Sequence, residues 1–441
     1  MGAVTTYARA LPRARTDRPG WTPLAYGLSA IVGALTAIGL VFILSASSVE
    51  SLARHESYWA VFVRQAQWEV LGVVVFMVVL RVGYRFIAAH WFALWVGTVL
   101  MLVAVKTPLG VARNGSQRWI GPATFEIQPS EAAKLIIVAA LAHVLSIRGR
   151  RIDDWRDMAG PSAIVAVPLV GLVFLQPDLG TTAIVAFGAL AVLWAAGVPG
   201  RWLAILFAVA ALGLAISVMI NPYQWDRLTV FLDPSRPEGY HLRRSLSGIA
   251  SGGWFGLGVG AGRSKWGYLP NAHTDFIYAV IAEEVGLIGA LIVLSLFIGF
   301  AITGMQIARR APDRYGRLLA TGLTAYIVFQ AVTNIGAVTG VAPVTGVPLP
   351  FVSQGGTAFV TLMIAVALLV DIARRGIDPE ADARRRRYTE RTHPSQLRRD
   401  NRTGSGPFRP AAVGRPRPSA VGSRTSKPSR GSSGGTAGRF R

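Results

Sequence analysis

The chain is built largely from blocks of apolar residues, each close to 20 residues long. A bilayer core about 30 Å thick needs roughly 20 apolar residues to be crossed by a helix. Together with a mean hydropathy of +0.43, the blocks predict an all-α, polytopic membrane protein. We count ten transmembrane helices, of which the second, third and fifth are short: near residues 26–47, 67–81, 89–105, 130–147, 160–176, 179–197, 201–220, 274–303, 317–340 and 353–373.

The short loops predict how these helices are oriented. Basic residues are concentrated in alternate loops, which places those loops and both termini in the cytoplasm. The long polar stretch between helices 7 and 8, residues 221–273, then forms a large extracellular loop. We divide the chain into a cytoplasmic N-terminal segment (1–24), a transmembrane domain (25–373) and a cytoplasmic tail (374–441).

The tail carries much of the positive charge. Residues 373–441 hold 18 Arg and Lys and 5 Asp and Glu, which is +13 of the chain's net +22. Abundant Gly, Pro and Ser with few large apolar side chains predict disorder. Beside ten membrane helices, anionic lipids or an acidic cytoplasmic protein are better partners for this charge than nucleic acid.

The sequence also excludes some classes of site. The chain has no cysteine, so disulfides, thiol catalysis and cysteine metal sites are absent. Its six His residues are scattered and lack the spacing of a histidine metal site. The basic amino end and first apolar block resemble a signal peptide, but the block is too long, which favours an uncleaved first helix.

Residues 221–284 are the stretch in which we expect chemistry. A basic loop that leads to a carboxylate at the membrane surface suits an anionic, lipid-linked substrate. The Gly-rich run 251–262 lacks the strand and helix of a nucleotide-binding loop, so we expect it to be re-entrant or interfacial. The stretch contains Arg227, Arg236, Arg243, Arg244, Arg263 and Lys265, followed by His273, Thr274 and Asp275.

Several carboxylates have a structural interpretation beside the functional one. Asp178 follows Gln176-Pro177 and is favoured as the cap of the sixth helix. Asp275 has the same alternative as an acid in a first helical turn. Because Thr274 is available as a cap and Asp275 follows His273 beneath the basic loop, we interpret Asp275 as a site residue. Glu283 and Glu284 lie about two turns deeper, roughly 12 Å into the bilayer, and need partners there.

Two further features precede the large loop. Arg118-Trp119 is either an interfacial pair or a contact for a headgroup or sugar. Glu131 and Lys134 are three residues apart, so they share one face of the fourth helix. Such a pair either ties two helices together or supports a substrate site. Near the carboxyl end, residues 333–358 are rich in Gly and Pro and predict broken helices around a cavity.

Seven motifs resemble those of the SEDS family of RodA, FtsW and SpoVE proteins. They occur in the family's order over residues 25–373, whereas the tail and the extreme amino end lie outside the match. The motifs are Leu44-Ser45-Ala46-Ser47-Ser48, Gly115-Ser116-Gln117-Arg118-Trp119-Ile120, Pro129-Ser130-Glu131, Gln176-Pro177-Asp178-Leu179-Gly180, Leu269-Pro270-Asn271-Ala272-His273-Thr274-Asp275-Phe276, Glu283-Glu284 and Pro348-Leu349-Pro350-Phe351-Val352-Ser353.

The resemblance implies a peptidoglycan glycosyltransferase in the cytoplasmic membrane. Such an enzyme joins lipid II disaccharides into β-1,4 glycan strands outside that membrane, in complex with a class B penicillin-binding transpeptidase. Asp275 is then the catalytic base, and a helix amino end keeps it ionised with modest basicity. Glu131 and Lys134 support the site, and the implied substrate-binding residues are His273, Lys265, Arg243, Arg118, Trp119 and Gln354. Gln354 stands where many relatives carry Tyr or a small residue.

The pyrophosphate leaving group needs positive charge. Arg and Lys of the loop supply it, with or without a divalent cation such as Mg²⁺ or Mn²⁺, whose identity the sequence leaves open. The Ser-rich end of the first helix followed by Val49-Glu50, and the long tail, favour an FtsW-like role at the division septum with other divisome proteins. The alternatives are a RodA-like polymerase of elongation, a lipid II flippase and a non-catalytic divisome scaffold.

Overall fold

A computed structural model describes residues 20–53, 57, 59–113, 116–122, 126–147, 156–263 and 272–376. These residues form thirteen α-helices and two short strands. The helices are α1 (Pro23–Ala53), α2 (Ala60–Val82), α3 (Tyr84–Ala89), α4 (Trp91–Ala104), α5 (Pro129–Ile147), α6 (Arg156–Phe174), α7 (Leu179–Ala196), α8 (Gly200–Ile220), α9 (Pro222–Leu232), α10 (Tyr240–Gly252), α11 (Ile277–Arg309), α12 (Arg314–Val338) and α13 (Gly356–Arg375). The strands are β1 (Gly110–Arg113) and β2 (Ser116–Ile120).

Ten of the described helices match the ten predicted ones, which confirms a polytopic helical membrane protein. Eight are long and apolar enough to cross a membrane, whereas α4 and the Ala159–Phe174 part of α6 are shorter. The second predicted helix was too short, because α2 begins at Ala60 rather than near residue 67. Within the apolar windows of α5 and α13, 72% of residues are buried, compared with 0% for α8. Helices α5 and α13 are therefore central, and α8 is peripheral.

Contacts between the helix ends define the two ends of the bundle. Thr22 Oγ1 donates to Ala373 O at 3.2 Å, and the Arg374 guanidinium lies 5.5 Å from the Trp21 ring centroid. The start of α1 and the end of α13 therefore lie together, as ten crossings require. Ser45, near the other end of α1, donates to Glu284 in the first turns of α11. The start of α11 thus lies at the opposite end of the bundle.

The Gly-rich run packs against α11 where that helix is broken. Gly286 has φ 76° and ψ −169°, which interrupts α11 and leaves its neighbouring backbone groups without helical partners. Residues 253–263, here called the glycine hook, supply those partners. Leu257 N–H donates to Glu283 O at 3.0 Å, and Leu287 N–H donates to Gly253 O at 2.9 Å. The run therefore packs closely against a membrane helix, and its re-entrant or interfacial position stays a prediction.

The carboxylates of Glu283 and Glu284 find their partners in the same place. Glu284 accepts from Ser45 Oγ at 2.7 Å and from Gly260 N–H at 3.0 Å. Glu283 accepts from Arg263 N–H at 2.8 Å. Charged oxygens that accept several hydrogen bonds can stay buried in a membrane helix. The hook therefore satisfies both acids, and they in turn hold it.

Other described regions depart from the predicted organisation. The described part of the region 106–129 contains an antiparallel hairpin in which Val111 pairs with Trp119, so the fold is mainly but not wholly helical. The large loop also contains two helices, α9 and α10. Helix α13 ends at Arg375, two residues past the predicted end of the transmembrane domain. Most of the predicted tail, from residue 377, lies outside the described residues.

Candidate functional site

Asp275 lies in the turn of residues 272–276 that precedes α11. The N-cap position of α11 is Phe276, and no side chain caps that helix. Asp275 is therefore not used as a helix cap, and its carboxylate is half-buried at this end of the bundle. The structure thus gives Asp275 no capping role, and its role as a site residue stays a prediction.

Arg227 of α9 lies beside Asp275. Its Nη1 donates to Val344 O at 3.2 Å, which brings the guanidinium over the chain that follows α12. Gly346 has φ +71°, and a Cβ there would lie 3.3 Å from Arg227 Nη1 and 3.7 Å from Asp275 Oδ2. The two charged groups therefore both lie close to Gly346, where a side chain would contact each of them.

The surroundings of Asp275 act on its pKa in both directions. Burial has the largest effect and raises the pKa of this carboxyl above its ordinary value. The positive charges of Arg227 and His273 lower the pKa, and the negative charge of Asp178 raises it. The modest basicity predicted from the helix amino end is therefore wrong, because loss of water outweighs the favourable charges. A half-buried carboxylate with a raised pKa is a stronger base.

Asp178 and Arg118 form a second charged group next to this one. Asp178 is the N-cap of α7 and accepts from Thr181 N–H at 3.1 Å, which confirms the predicted cap. Arg118 Nη1 lies 3.5 Å from Asp178 Oδ2, and Arg118 Nη2 donates to Pro177 O at 2.6 Å. The guanidinium of Arg118 thus holds the turn of residues 176–178. Trp119, next on β2, is half-buried.

The segment between α12 and α13 connects Asp275 to the ion pair of α5. Asn334 Nδ2 donates to Asp275 O and to Val347 O, both at 2.8 Å. Lys134 Nζ lies 2.7 Å from Glu131 Oε2 and donates to Gln330 Oε1 at 2.9 Å. The predicted contact of Glu131 with Lys134 is present, and both side chains are buried. The pair lies in the interior and is joined to the site through α12.

His273 and Gln354 are joined through their backbones. Gln354 N–H donates to His273 O at 3.1 Å, so the start of the α13 region holds the turn that carries Asp275. Gln354 Oε1 is buried and has no hydrogen-bond partner among the described residues. His241 of α10 stacks on Phe276 at 6.3 Å. Burial and then the charge of Arg227 lower the pKa of His241, which favours its neutral form.

Arg243, one of the predicted substrate-binding residues, is not brought to Asp275 by any described contact. Arg243 lies in α10 and donates to Pro234 O and, at 2.5 Å, to Arg236 O, so it folds the large loop upon itself. Lys265 lies outside the described residues. The sequence interpretation missed Arg227 as the basic residue beside Asp275, and it missed Gln330, Asn334 and His241. The sequence offered no signal for these four residues, because their contacts are with residues that only the folded chain brings close.

The described residues do not form a metal site. No group of three His, Asp or Glu side chains among them is arranged to hold a metal ion. Asp275 has instead the guanidinium of Arg227 and the imidazole of His273 as neighbours. A cationic guanidinium and an imidazole do not fit Mg²⁺ or Mn²⁺, which prefer several oxygen ligands.

Comparisons with known proteins agree on one family. A family model described as a cell cycle protein, FtsW/RodA/SpoVE, matches residues 26–376. The probable peptidoglycan glycosyltransferase FtsW of Mycobacterium tuberculosis is 40% identical over 358 residues, which is 80% of this chain and 68% of that protein. Stage V sporulation protein E of Bacillus subtilis is 35% identical over 344 residues, covering 77% of this chain and 94% of that protein.

Solved structures agree with the same fold. The rod shape determining protein RodA of Thermus thermophilus has a TM-score of 0.61 at 28% identity and covers 81% of this chain and 98% of its own. A chain from a structure described as the structural coordination of polymerization and crosslinking by a peptidoglycan synthase complex has a TM-score of 0.68 at 30% identity. It covers 81% of this chain and 98% of its own length.

Proposed function

Because the chain belongs to the FtsW/RodA/SpoVE family of cell cycle proteins, we propose that it is a peptidoglycan glycosyltransferase in which Asp275 is the catalytic base. The observation that carries this proposal is the setting of Asp275. Its side chain is half-buried and caps no helix, and both its carboxylate and the Arg227 guanidinium, whose charge lowers its pKa, lie close to Gly346. A base needs a raised pKa and a free lone pair, and a leaving pyrophosphate needs a nearby cation.

The reaction follows from these two groups. The acceptor hydroxyl attacks the anomeric carbon of the donor sugar while its proton passes to the Asp275 carboxylate. A new C–O bond forms, the bond from that carbon to the pyrophosphate oxygen breaks, and the electron pair leaves with the pyrophosphate. Arg227 forms charge-assisted hydrogen bonds to the phosphate oxygens as this charge develops. Displacement from the opposite face inverts the carbon, which gives a β linkage from an α donor.

The substrate that fits this site is lipid II, an anionic pyrophosphate on a lipid anchor. Asp275 lies at the end of the bundle opposite Thr22 and Ala373. With the termini in the cytoplasm, as the basic loops predict, Asp275 faces outward. His273, Arg118, Trp119 and Gln354 are the proposed sugar and headgroup contacts near this end. Lys265 and Arg243 remain proposals on sequence grounds.

We further propose a role in septal synthesis, which places the chain at the division septum. Support comes from relatives named FtsW at 31–40% identity and from the Ser-rich end of α1 with Val49-Glu50. The proposed partners are a class B penicillin-binding transpeptidase and other divisome proteins. The similarity to a chain of a peptidoglycan synthase complex supports the former.

Transport of the same lipid gains no support from the described charges. A flippase needs charged side chains along an aqueous path. Lys134 is instead buried against Glu131 at 2.7 Å, and Glu283 and Glu284 accept from the glycine hook. Each of these groups has a partner within the protein, which is what a packed scaffold for a surface site requires.

Reconstitution separates the two activities. Full-length protein purified in detergent with lipid II and its transpeptidase partner should make glycan strands, because detergent micelles allow chemistry but not transport. In liposomes with fluorescent lipid II, the same protein should not speed transfer between leaflets. A folded complex that makes no strands but accelerates transfer would refute the proposed function.

A further inference from the structure

Two buried amide side chains on α12, Gln330 and Asn334, lie about one helical turn apart. The exposed fraction is 0% for Gln330 and 2% for Asn334. Burying an amide costs free energy unless its hydrogen bonds are made. The partners of these two side chains therefore show which parts of the protein they hold together.

Asn334 joins the backbone of the proposed base to the segment after α12. Its Nδ2 donates to Asp275 O and to Val347 O, both at 2.8 Å. Both partners are carbonyl oxygens, which can only accept, so the chemistry determines which end of the amide faces them. Val347 follows Gly346, and both Asp275 and Arg227 lie close to that glycine. The Asn334 side chain thus ties the backbone of Asp275 to the segment that carries Gly346.

Gln330 extends the same connection to α5. Its Nε2 donates to Pro348 O at 3.0 Å, while its Oε1 accepts from Lys134 Nζ at 2.9 Å. Because a carbonyl can only accept and an ammonium can only donate, the orientation of this amide is also determined. The Glu131–Lys134 pair is therefore connected through Gln330 to the carbonyl of Pro348. The adjacent carbonyl of Val347 is connected through Asn334 to the turn that carries Asp275.

We propose that Asn334 is a positioning residue for Asp275, and that Gln330 transmits the support of the Glu131–Lys134 pair to the same segment. The proposal rests on the proposed role of Asp275 as the base. Asn334 acts through the main chain of Asp275, which it ties to α12 and to Val347. Without this tie the turn of residues 272–276 can move away from Gly346 and Arg227.

The charged groups around Asp275 make such a movement measurable. Arg227 on α9 and His273 in the same turn lower the pKa of Asp275, whereas Asp178 at the start of α7 raises it. Arg118 on β2 pairs with Asp178, and His241 on α10 stacks on Phe276. The largest effect, however, is burial, which raises the pKa. A carboxylate that gains water should therefore titrate at lower pH than in the wild type.

The test compares pH–rate profiles of full-length variants polymerising lipid II. Asn334→Ala should lower kcat by tenfold or more, because a misplacement of about 1 Å can cost roughly a hundredfold. The acid limb of its kcat/KM profile should move to lower pH. Asn334→Asp, which sets an acceptor against two carbonyl oxygens, should lose at least as much activity. Gln330→Leu should cause a smaller loss in the same direction.

Thr321→Ala is the matched control on the same helix, because Thr321 Oγ1 bonds within α12 to Arg317 O at 2.9 Å. It should leave the profile unchanged. If Asn334→Ala keeps the wild-type kcat per folded molecule and the wild-type acid limb, Asn334 is merely structural and the inference is wrong. Should this variant not fold, Asn334→Ser retains one donor and answers the same question.

The Asp275→Asn variant separates this inference from the proposed function. If Asp275→Asn polymerises at the wild-type rate, the assignment of the base is at fault. If Asp275→Asn is inactive while Asn334→Ala retains the wild-type profile, the base stands and the positioning role fails.

Discussion

Arg227 and Asp275 both lie close to Gly346, where a Cβ would come within 3.3 Å of the guanidinium and 3.7 Å of the carboxylate. The positive charge of Arg227 favours the ionised form of Asp275 and lowers its pKa. Arg227 therefore opposes the effect of burial on Asp275, and it also offers positive charge to a phosphate. The two effects can be told apart by removing the charge.

Arg227→Gln should lower kcat/KM and shift its acid limb to higher pH. The shift has this sign because the positive charge lowers the pKa of Asp275, so that without it the carboxyl keeps its proton to higher pH. A lost hydrogen bond to a charged group costs about 1.5–3 kcal/mol, which corresponds to roughly 10- to 150-fold in rate. Arg227→Lys should keep part of the rate, since it retains the charge without the bidentate fork.

Arg236→Gln is the matched control, because Arg236 belongs to the same loop and lies 3.7 Å from the exposed Asp233. Its variant should behave like the wild type. A wild-type acid limb in Arg227→Gln would show that the guanidinium does not act on Asp275.

The residue scale is also where the sequence was least informative. Asp275 could be selected because it followed His273 and because Thr274 offered an alternative cap. Arg227 was one of six basic residues in the same stretch, and nothing in its local sequence marked it. Its importance comes from Val344 and Gly346, more than 100 residues later, and pairing over that distance is a property of the fold.

Among the elements, the glycine hook and the broken helix α11 depend on each other. The hook brings its backbone against the break, and Gly256, with φ +79°, lies so close that a Cβ would be 2.2 Å from Glu284 O. Gly258 has a similar φ of +106°, but a Cβ there would meet Ala261 Cβ at an ordinary 3.8 Å. The two positions share a positive φ but differ in the room that is available for a side chain.

Gly256→Ala should displace the hook, lower the thermal unfolding temperature in detergent and reduce polymerisation. A non-Gly residue at positive φ costs about 1–3 kcal/mol, and the clash with Glu284 adds to that cost. Gly258→Ala should show the cost of strain alone. Equal losses of stability in the two variants would mean that close packing against α11 is unimportant.

The sequence predicted the membrane helices well, because the length of an apolar block decides whether it forms one. It predicted the hairpin and the helix break poorly, because these depend on local turns. The hairpin of β1 and β2 was missed, although Asn114-Gly115 between them is a strong hairpin signal. The break at Gly286 was also missed, because a lone glycine in an apolar block is usually tolerated within a helix. The hook that stabilises this break lies 23–33 residues earlier in the sequence, so only the packed structure explains it.

At the scale of the whole molecule, the chain enters and leaves the bundle at the same end. Thr22 bonds to Ala373 O, Arg374 stacks on Trp21, and Arg375 Nε lies 2.8 Å from the buried Asp371. These contacts hold the end of α13 within the described residues, ahead of most of the basic tail. The membrane domain therefore has its terminal contacts without the tail.

Truncation after residue 376 should leave glycan synthesis in detergent unchanged and weaken recruitment to the division site in cells. The tail's arginines act by charge, each worth about 1 kcal/mol near an anionic membrane and less as salt rises. Polymerisation by the purified truncated protein and the cellular position of a fluorescent fusion measure the two effects. Loss of activity in a folded truncated protein would show that the tail belongs to the enzyme.

Asp275→Asn shows whether Asp275 accepts the proton in glycan polymerisation. The amide keeps the size of the carboxyl and cannot act as a base. Purified with its transpeptidase partner, the variant should fold and bind the partner as the wild type does, yet make no glycan strands from lipid II. Asp233→Asn, an exposed acid of the same loop, should polymerise normally. Long strands made by Asp275→Asn at a near-normal rate would contradict the account.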